Sequence, residues 1–264
     1  MILFRSRTVS RPVALVTGAS SGVGRACALG LAERGFDLAV AARRTEELDA
    51  LSRELGDSCR VMRRCVDLHD PEETARVVPE VIGEFGRLDV LLNIAGIFDI
   101  APLHEMSLGS LQRTLAINTI APAILVREAW SALADAPRGV VLNMSSLASI
   151  DPFPGAGAYG ISKSAIEGLT RSVHVESQAA EAGIEAYSLA AGCIDTPMLR
   201  SVLGDIELPE GAEIPMDQFV GIAMDCIEGR RPEARGLPLF VVRDGFATLD
   251  SEEALEAIRV LWNA

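Results

Sequence analysis

Tyr159-Gly160-Ile161-Ser162-Lys163 sets a phenol and an ammonium four residues apart. On a helix that spacing puts both side chains on one face, where they can converge on a single cleft. Of the 24 cationic residues only Lys163 is a lysine, and Tyr159 is one of 2 tyrosines. Guanidinium fills every other cationic position, so this ammonium needs its own explanation. A compact point charge beside a phenol lowers its pKa, a task for which the larger, planar guanidinium is poorly shaped. A free phenol titrates at about 10, and bringing it to about 7 takes roughly 4 kcal/mol. One desolvated cation helped by a positively charged ligand can supply that. Tyr159 can then serve as general acid or base at neutral pH.

A second constellation lies near the N-terminus, in Thr17-Gly18-Ala19-Ser20-Ser21-Gly22-Val23-Gly24. It follows an apolar run at 13–17 and opens a helical pattern that closes at Gly35. Glycines there let the backbone turn sharply and approach phosphates, while free N–H groups and the helix dipole favour negative charge. Gly18, Ser20, Ser21, Gly22, Val23 and Gly24 are therefore candidate contacts to a dinucleotide; the other reading is a plain strand-to-helix turn. The next strand ends Ala41-Ala42-Arg43-Arg44. An acid at its end would bond the ribose of NAD, but that position is Ala42. Arg43 and Arg44 suit the 2′-phosphate of NADP instead. Their alternative role is a solvated start to the following helix.

These residues need a scaffold, and the chain alternates strand and helix throughout. Strand patterns at 13–17, 38–42, 60–66, 88–92, 139–144, 185–189 and 239–242 are separated by helical patterns at 46–55, 71–85, 107–134 and 156–182. Buried strands joined by helices mean βαβ crossovers, so an α/β doubly wound, Rossmann-type parallel sheet of about seven strands with helices on both faces is expected. No linker, repeat or composition shift divides the 264 residues, which predicts one domain. The formal charge of −13 opposes nucleic-acid binding and anionic membranes. No apolar run reaches membrane-spanning length, which together with the short apolar N-terminus predicts a cytoplasmic protein. The 5 cysteines lack a CxxC pair and the 3 histidines lie far apart, so neither a disulfide framework nor a metal site is expected.

The glycine spacing is TGxxxGxG rather than GxGxxG, and with YxxxK it resembles the short-chain dehydrogenase/reductase family over residues from about 12 to about 245. That resemblance implies a serine thirteen residues before the tyrosine, Ser146, holding the substrate oxygen; neighbouring Ser145 is the structural alternative. It implies that Asn118, in the long helix, helps hold a water linking Lys163 to solvent as a proton relay, and that Lys163 also binds ribose. It assigns Asp67, with Leu68, to adenine, and Asn93, Ala95 and Gly96 to the turn after the fourth strand. Gly192, Ile194 and Thr196 fall where the family holds the nicotinamide carboxamide. Three departures are Ile94 for a second Asn, Ala191 for a proline, and Ser21 where many NADP-preferring members carry a basic residue.

The expected activity is NADP(H)-dependent interconversion of a carbonyl and an alcohol; the alternative is an NADP(H)-binding sensor without turnover. Residues 194–217 are expected to form a substrate lid, where six acids face the single cation Arg200, and Met198, Leu199, Val202, Leu203 and Met216 supply an apolar lining. With the acids turned to the cleft a small neutral substrate is expected; the other reading is that they face solvent. The long helices at 107–134 and 156–182 lie where members of that family dimerise through a four-helix bundle, so the resemblance implies a homodimer or homotetramer. Residues 1–11 are read as an N-terminal arm, and 247–264 as a helical extension.

Overall fold

The computed structural model describes residues 11–204, 208, 211–243 and 245–248. Six strands, β1 (Val13–Thr17), β2 (Asp37–Ala42), β3 (Val61–Cys65), β4 (Val90–Asn93), β5 (Val140–Ser146) and β6 (Glu185–Ala191), lie parallel in one sheet. A short parallel pair, β7 (Cys193–Ile194) with β8 (Glu213–Ile214), stands apart from it. β9 (Pro238–Val242) then joins β6 in parallel, and β10 (Gly245–Thr248) turns back antiparallel on β9. The order across the 8-stranded sheet is β10-β9-β6-β5-β4-β1-β2-β3.

Side chains alternate across each strand, and both faces are covered. Ala14, Val16, Leu38, Val40, Val140 and Leu142 face α1 (Gly22–Glu33), α2 (Thr45–Leu55) and, later in the chain, the helix Met216–Ile227. Val13, Leu15, Ala39, Ala41, Leu91 and Val141 face α3 (Pro71–Phe85) and helices α5 (Ala121–Asp135) and α6 (Gly157–Ala179). α4 (Leu108–Leu115) precedes α5; α7 (Pro197–Leu203) and α8 (Met216–Ile227) follow α6. α3 keeps its sequence-read bounds because both ends are fixed chemically. The Asp70 carboxylate accepts from the N–H groups of Glu72 and Glu73, and Gly86 ends the helix at φ +77°.

Three expectations change. The sheet carries an antiparallel eighth strand, since the two residues between β9 and β10 permit a hairpin but not a crossover. Residues 247 and 248 accordingly belong to β10 and not to a helix; the rest of the expected extension, and residues 1–10 of the arm, lie outside the described residues. The long helix at 107–134 is interrupted by a π-helical turn, Ala116–Ile120, in which the Ala121 N–H donates to the Ala116 carbonyl. Among the described residues no helix is long and apolar enough to cross a membrane.

Candidate active site

β1 and β4 are neighbours, yet their connections leave in opposite directions, and a crevice opens at their C-terminal ends as doubly wound sheets require. Close backbone contacts fix the loop on its floor. Gly18 has φ +70°, and a Cβ there would lie 2.9 Å from the Ala95 backbone. A Cβ on Gly24 would lie 2.4 Å from the Gly18 carbonyl oxygen. Thr17 ties the two strand ends together, its hydroxyl accepting from the N–H groups of Ile94 (3.1 Å) and Ala95 (3.2 Å). Ser21 stands at the N-cap of α1 without capping it, so the first N–H groups of that helix are left for a ligand. Both loop hydroxyls accept instead from Arg44, at 2.9 Å for Ser20 and 2.7 Å for Ser21. Arg44 thus lies across the loop, close to its ion-pair partner Glu47 at 3.3 Å.

At the far end of the cleft, α6 delivers Tyr159 and Lys163, both buried. Lys163 Nζ donates to the Met144 carbonyl at 2.6 Å and lies 5.4 Å from the centre of the Tyr159 ring. Tyr159 and Ser146 are hydrogen-bonded through their side chains, and the Ser146 hydroxyl also accepts from the Ala148 N–H at 3.2 Å. Ser145 is turned elsewhere and donates to Glu167 at 2.7 Å. Burial lowers Lys163 to about 8 and raises Tyr159 to about 12, opposed only by the bond to Ser146. Burial penalises both charged forms in the chain alone, so the lowering expected for the phenol needs the positively charged ligand as well as Lys163.

All the catalytic and cofactor candidates except Asn93 and Asn118 line one continuous cleft of about 620 Å³. Asn93 points into the sheet, where its amide donates to Asn143 at 2.9 Å. The Asn118 side chain is fully engaged behind the cleft wall. Its oxygen accepts from the Ile97 N–H (2.9 Å), and its amide donates to the Ile97 carbonyl (2.9 Å) and to Ser162 (3.0 Å). It pins the turn after β4 to α6. A Cβ on Gly96, in that turn, would meet Asn118 at 3.3 Å and Lys163 Nζ at 3.7 Å.

The substrate end is apolar. Met198, Leu199, Val202 and Leu203 line it as expected, whereas Met216 packs against the core as the first residue of α8. Phe98 was not anticipated. It stacks on Tyr159 with ring centres 4.0 Å apart and planes within 8°, and touches Phe153 at 5.8 Å. Its position two residues beyond Gly96 is the only sequence signal that could have marked it. Among the lid acids that are described, Asp195 is paired with Arg200 at 2.6 Å, and neither it, Glu213 nor Asp217 lines the cleft. Asp205, Glu207 and Glu210 lie outside the described residues.

Known proteins share this arrangement. The chain is 32% identical over 209 residues to cis-4-hydroxycyclohexanecarboxylate dehydrogenase of Sinomonas cyclohexanicum, covering 78% of this chain and 83% of that one. It is 32% identical over 214 residues to 2-(R)-hydroxypropyl-CoM dehydrogenase of Xanthobacter autotrophicus, covering 78% and 85%. The crystal structure of a blue fluorescent protein from a metagenomic library, in complex with NADPH, superposes with a TM-score of 0.76 at 30% identity over 87% of this chain and 96% of that one. The family model for short chain dehydrogenases matches residues 12–206, which take in the glycine loop, the Ser146–Tyr159–Lys163 group and the start of the 194–217 segment. A chain matched over that span, with such relatives, belongs to the short-chain dehydrogenase family of oxidoreductases.

Proposed function

We propose that this chain is an NADP(H)-dependent oxidoreductase that interconverts a carbonyl and an alcohol. The observation carrying this reading is the convergence of the Tyr159 and Ser146 hydroxyls and the Lys163 ammonium at one end of a cleft whose other end is a glycine loop flanked by Arg43 and Arg44. A bound nicotinamide would supply the hydride donor or acceptor. Ser146 donates a hydrogen bond to the substrate oxygen. Tyr159 gives its proton to that oxygen in reduction and takes it back in oxidation. Lys163 binds ribose and, with Asn118, links the phenol to solvent as a proton relay, while the Asn118 side chain keeps the turn beside it in place.

For the cofactor, the loop N–H groups of Gly18 to Gly24 take the pyrophosphate, Asp67 and Leu68 the adenine, and Ala95, Gly96, Gly192, Ile194 and Thr196 the nicotinamide half. NADP over NAD rests on the buried Ala42 where an acid would be needed and on two guanidiniums beside it. Arg44, already held by Ser20 and Ser21, supplies the loop cation that Ser21 lacks. The NADPH in the metagenomic neighbour supports the same choice.

The substrate is a small, neutral, moderately apolar ketone or aldehyde, or its alcohol, because Phe98, Leu147, Phe153, Met198, Leu199 and Val202 line its end of the cleft. Exposed Leu108, Ile120, Ile161 and Val175, on the α4–α5 stretch and α6, support a homodimer or homotetramer, and a monomer by light scattering would refute it. The deciding experiment is a carbonyl panel with NADPH and with NADH, following loss of reduced-nicotinamide absorbance. Turnover with NADPH above NADH is expected. NADPH binding without turnover of any carbonyl would mean a sensor.

A further inference from the structure

Glu167 lies one turn beyond Lys163 on α6 and is buried. Its carboxylate oxygen Oε1 is 2.7 Å from the Ser145 hydroxyl and 2.6 Å from the Ser149 hydroxyl. These two serines bracket Ser146, the last residue of β5, with Ser145 still in the strand and Ser149 in the turn that follows it. The Ser149 hydroxyl is also 2.8 Å from the Ser146 carbonyl oxygen.

Counting hydrogens exposes a conflict. With an ionised Glu167, the single proton of Ser149 must serve two acceptors, and one short oxygen–oxygen contact is left without a hydrogen. A proton on Oε1 resolves it. Glu167 then donates to Ser149, Ser149 donates to the Ser146 carbonyl, and Ser145 donates to Glu167 rather than to the more distant Lys163 carbonyl at 3.4 Å, so each of the three short contacts carries one hydrogen. Burial raises the Glu167 pKa in the direction this needs, against the bonds from Ser149 and Ser145 and the charge of Arg171 one turn on.

We propose that Glu167 is a positioning residue, held as the neutral acid, which orders the Ser145–Ser149 turn and so fixes the Ser146 hydroxyl against Tyr159. This rests on the assignment of Ser146 to the substrate oxygen. A displaced hydroxyl costs turnover more than affinity, since misplacement of about 1 Å is felt in the transition state. As pH rises through the Glu167 pKa, the proton is lost, Ser149 swings to the carboxylate, and the Ser146 carbonyl loses its donor.

The test compares wild type with E167Q, E167A, S149A and S146A, reading kcat, KM for NADPH, and the pH profile of kcat for the preferred carbonyl. The amide of E167Q can donate to Ser149 and cannot ionise. The expected result is E167Q within about twofold of wild type with a flatter alkaline limb, while E167A and S149A lose about tenfold or more in kcat at unchanged KM for NADPH. An E167A enzyme with wild-type kcat, beside an inactive S146A, overturns the positioning role. E167Q as impaired as E167A overturns the neutral acid. Should E167A fail to fold, S149A and E167Q decide in the same way, with loss in S149A and retention in E167Q expected. An active S146A instead overturns the site assignment on which the proposal stands.

Discussion

Lys163 lies 5.4 Å from the centre of the Tyr159 ring, and its Nζ is spent on the Met144 carbonyl rather than on the phenol oxygen. The pair therefore works through charge and placement and not through a direct bond in the unliganded chain. Y159F removes the hydroxyl proposed as proton donor while leaving the ring that stacks on Phe98. We expect kcat to fall about 10²- to 10⁴-fold with NADPH affinity preserved, measured by steady-state kinetics and fluorescence titration. A Y159F enzyme with near-normal turnover would remove Tyr159 from its role.

The lowered pKa of Lys163 has a stability consequence whose sign is the reverse of the usual lysine case. The unfolded chain holds the proton up to 10.5 and the folded chain only to about 8, so the folded state is penalised below 8 and relieved as pH rises from 8 to 10.5. K163M should stabilise the unliganded protein at neutral pH by up to about 3 kcal/mol while abolishing turnover. The gain should shrink on approach to the unfolded pKa. Urea melts of both proteins across that range check this; a K163M protein less stable than wild type at neutral pH contradicts it.

Arg43 and Arg44 separate by partner. Arg44 is bonded to Ser20 and Ser21, while Arg43 lines the cleft and makes no ion pair among the described residues. Each alanine variant should raise KM for NADPH about tenfold and leave KM for NADH nearly unchanged, narrowing the gap between cofactors. Equal rates with both cofactors in the parent protein would rule this out.

Gly24 leaves no space for a methyl group, with the Gly18 carbonyl 2.4 Å from where its Cβ would stand. Gly24→Ala must push the loop off β1. A drop in NADPH affinity of at least about tenfold is expected, with the fold retained by circular dichroism. Gly168→Ala, where nothing lies within 4 Å, is the control and should be silent.

How much of this was legible in the sequence depended on whether a signal was local. The bounds of α3 were readable because Asp70, Pro71 and Gly86 punctuate it. The clefts of doubly wound sheets gather residues from strand ends, so Gly18, Ser146 and Tyr159 could be placed together before any coordinates. What escaped was set by tertiary contact. Asn93 and Ile94 are adjacent in sequence, yet only Ile94 faces the cleft, because alternation at the end of β4 turns Asn93 into the sheet. Asn118 stood out as a mid-helix polar residue with a task, but its side-chain partners were not legible. Its three bonds to Ile97 and Ser162 depend on a turn that helical periodicity does not announce. The raised Tyr159 pKa likewise depends on how deeply the ring is buried, which spacing alone does not give.

The π-helical turn Ala116–Ile120 has a bearing on which length changes this chain can tolerate. Each helical residue advances about 100°, so a turn wound one residue wide leaves α4 and α5 out of phase by roughly that angle. Before it only Thr114 of α4 is buried, whereas after it Ala121, Leu125, Ala129 and Leu133 of α5 enter the core. Substitutions in the stretch leave that phase offset alone. Loss of a single residue would rewind α4 and α5 into one regular helix and rotate Asn118 away from Ile97. The segment is thus a frame-setting element, for which residue number is under tighter constraint than residue identity.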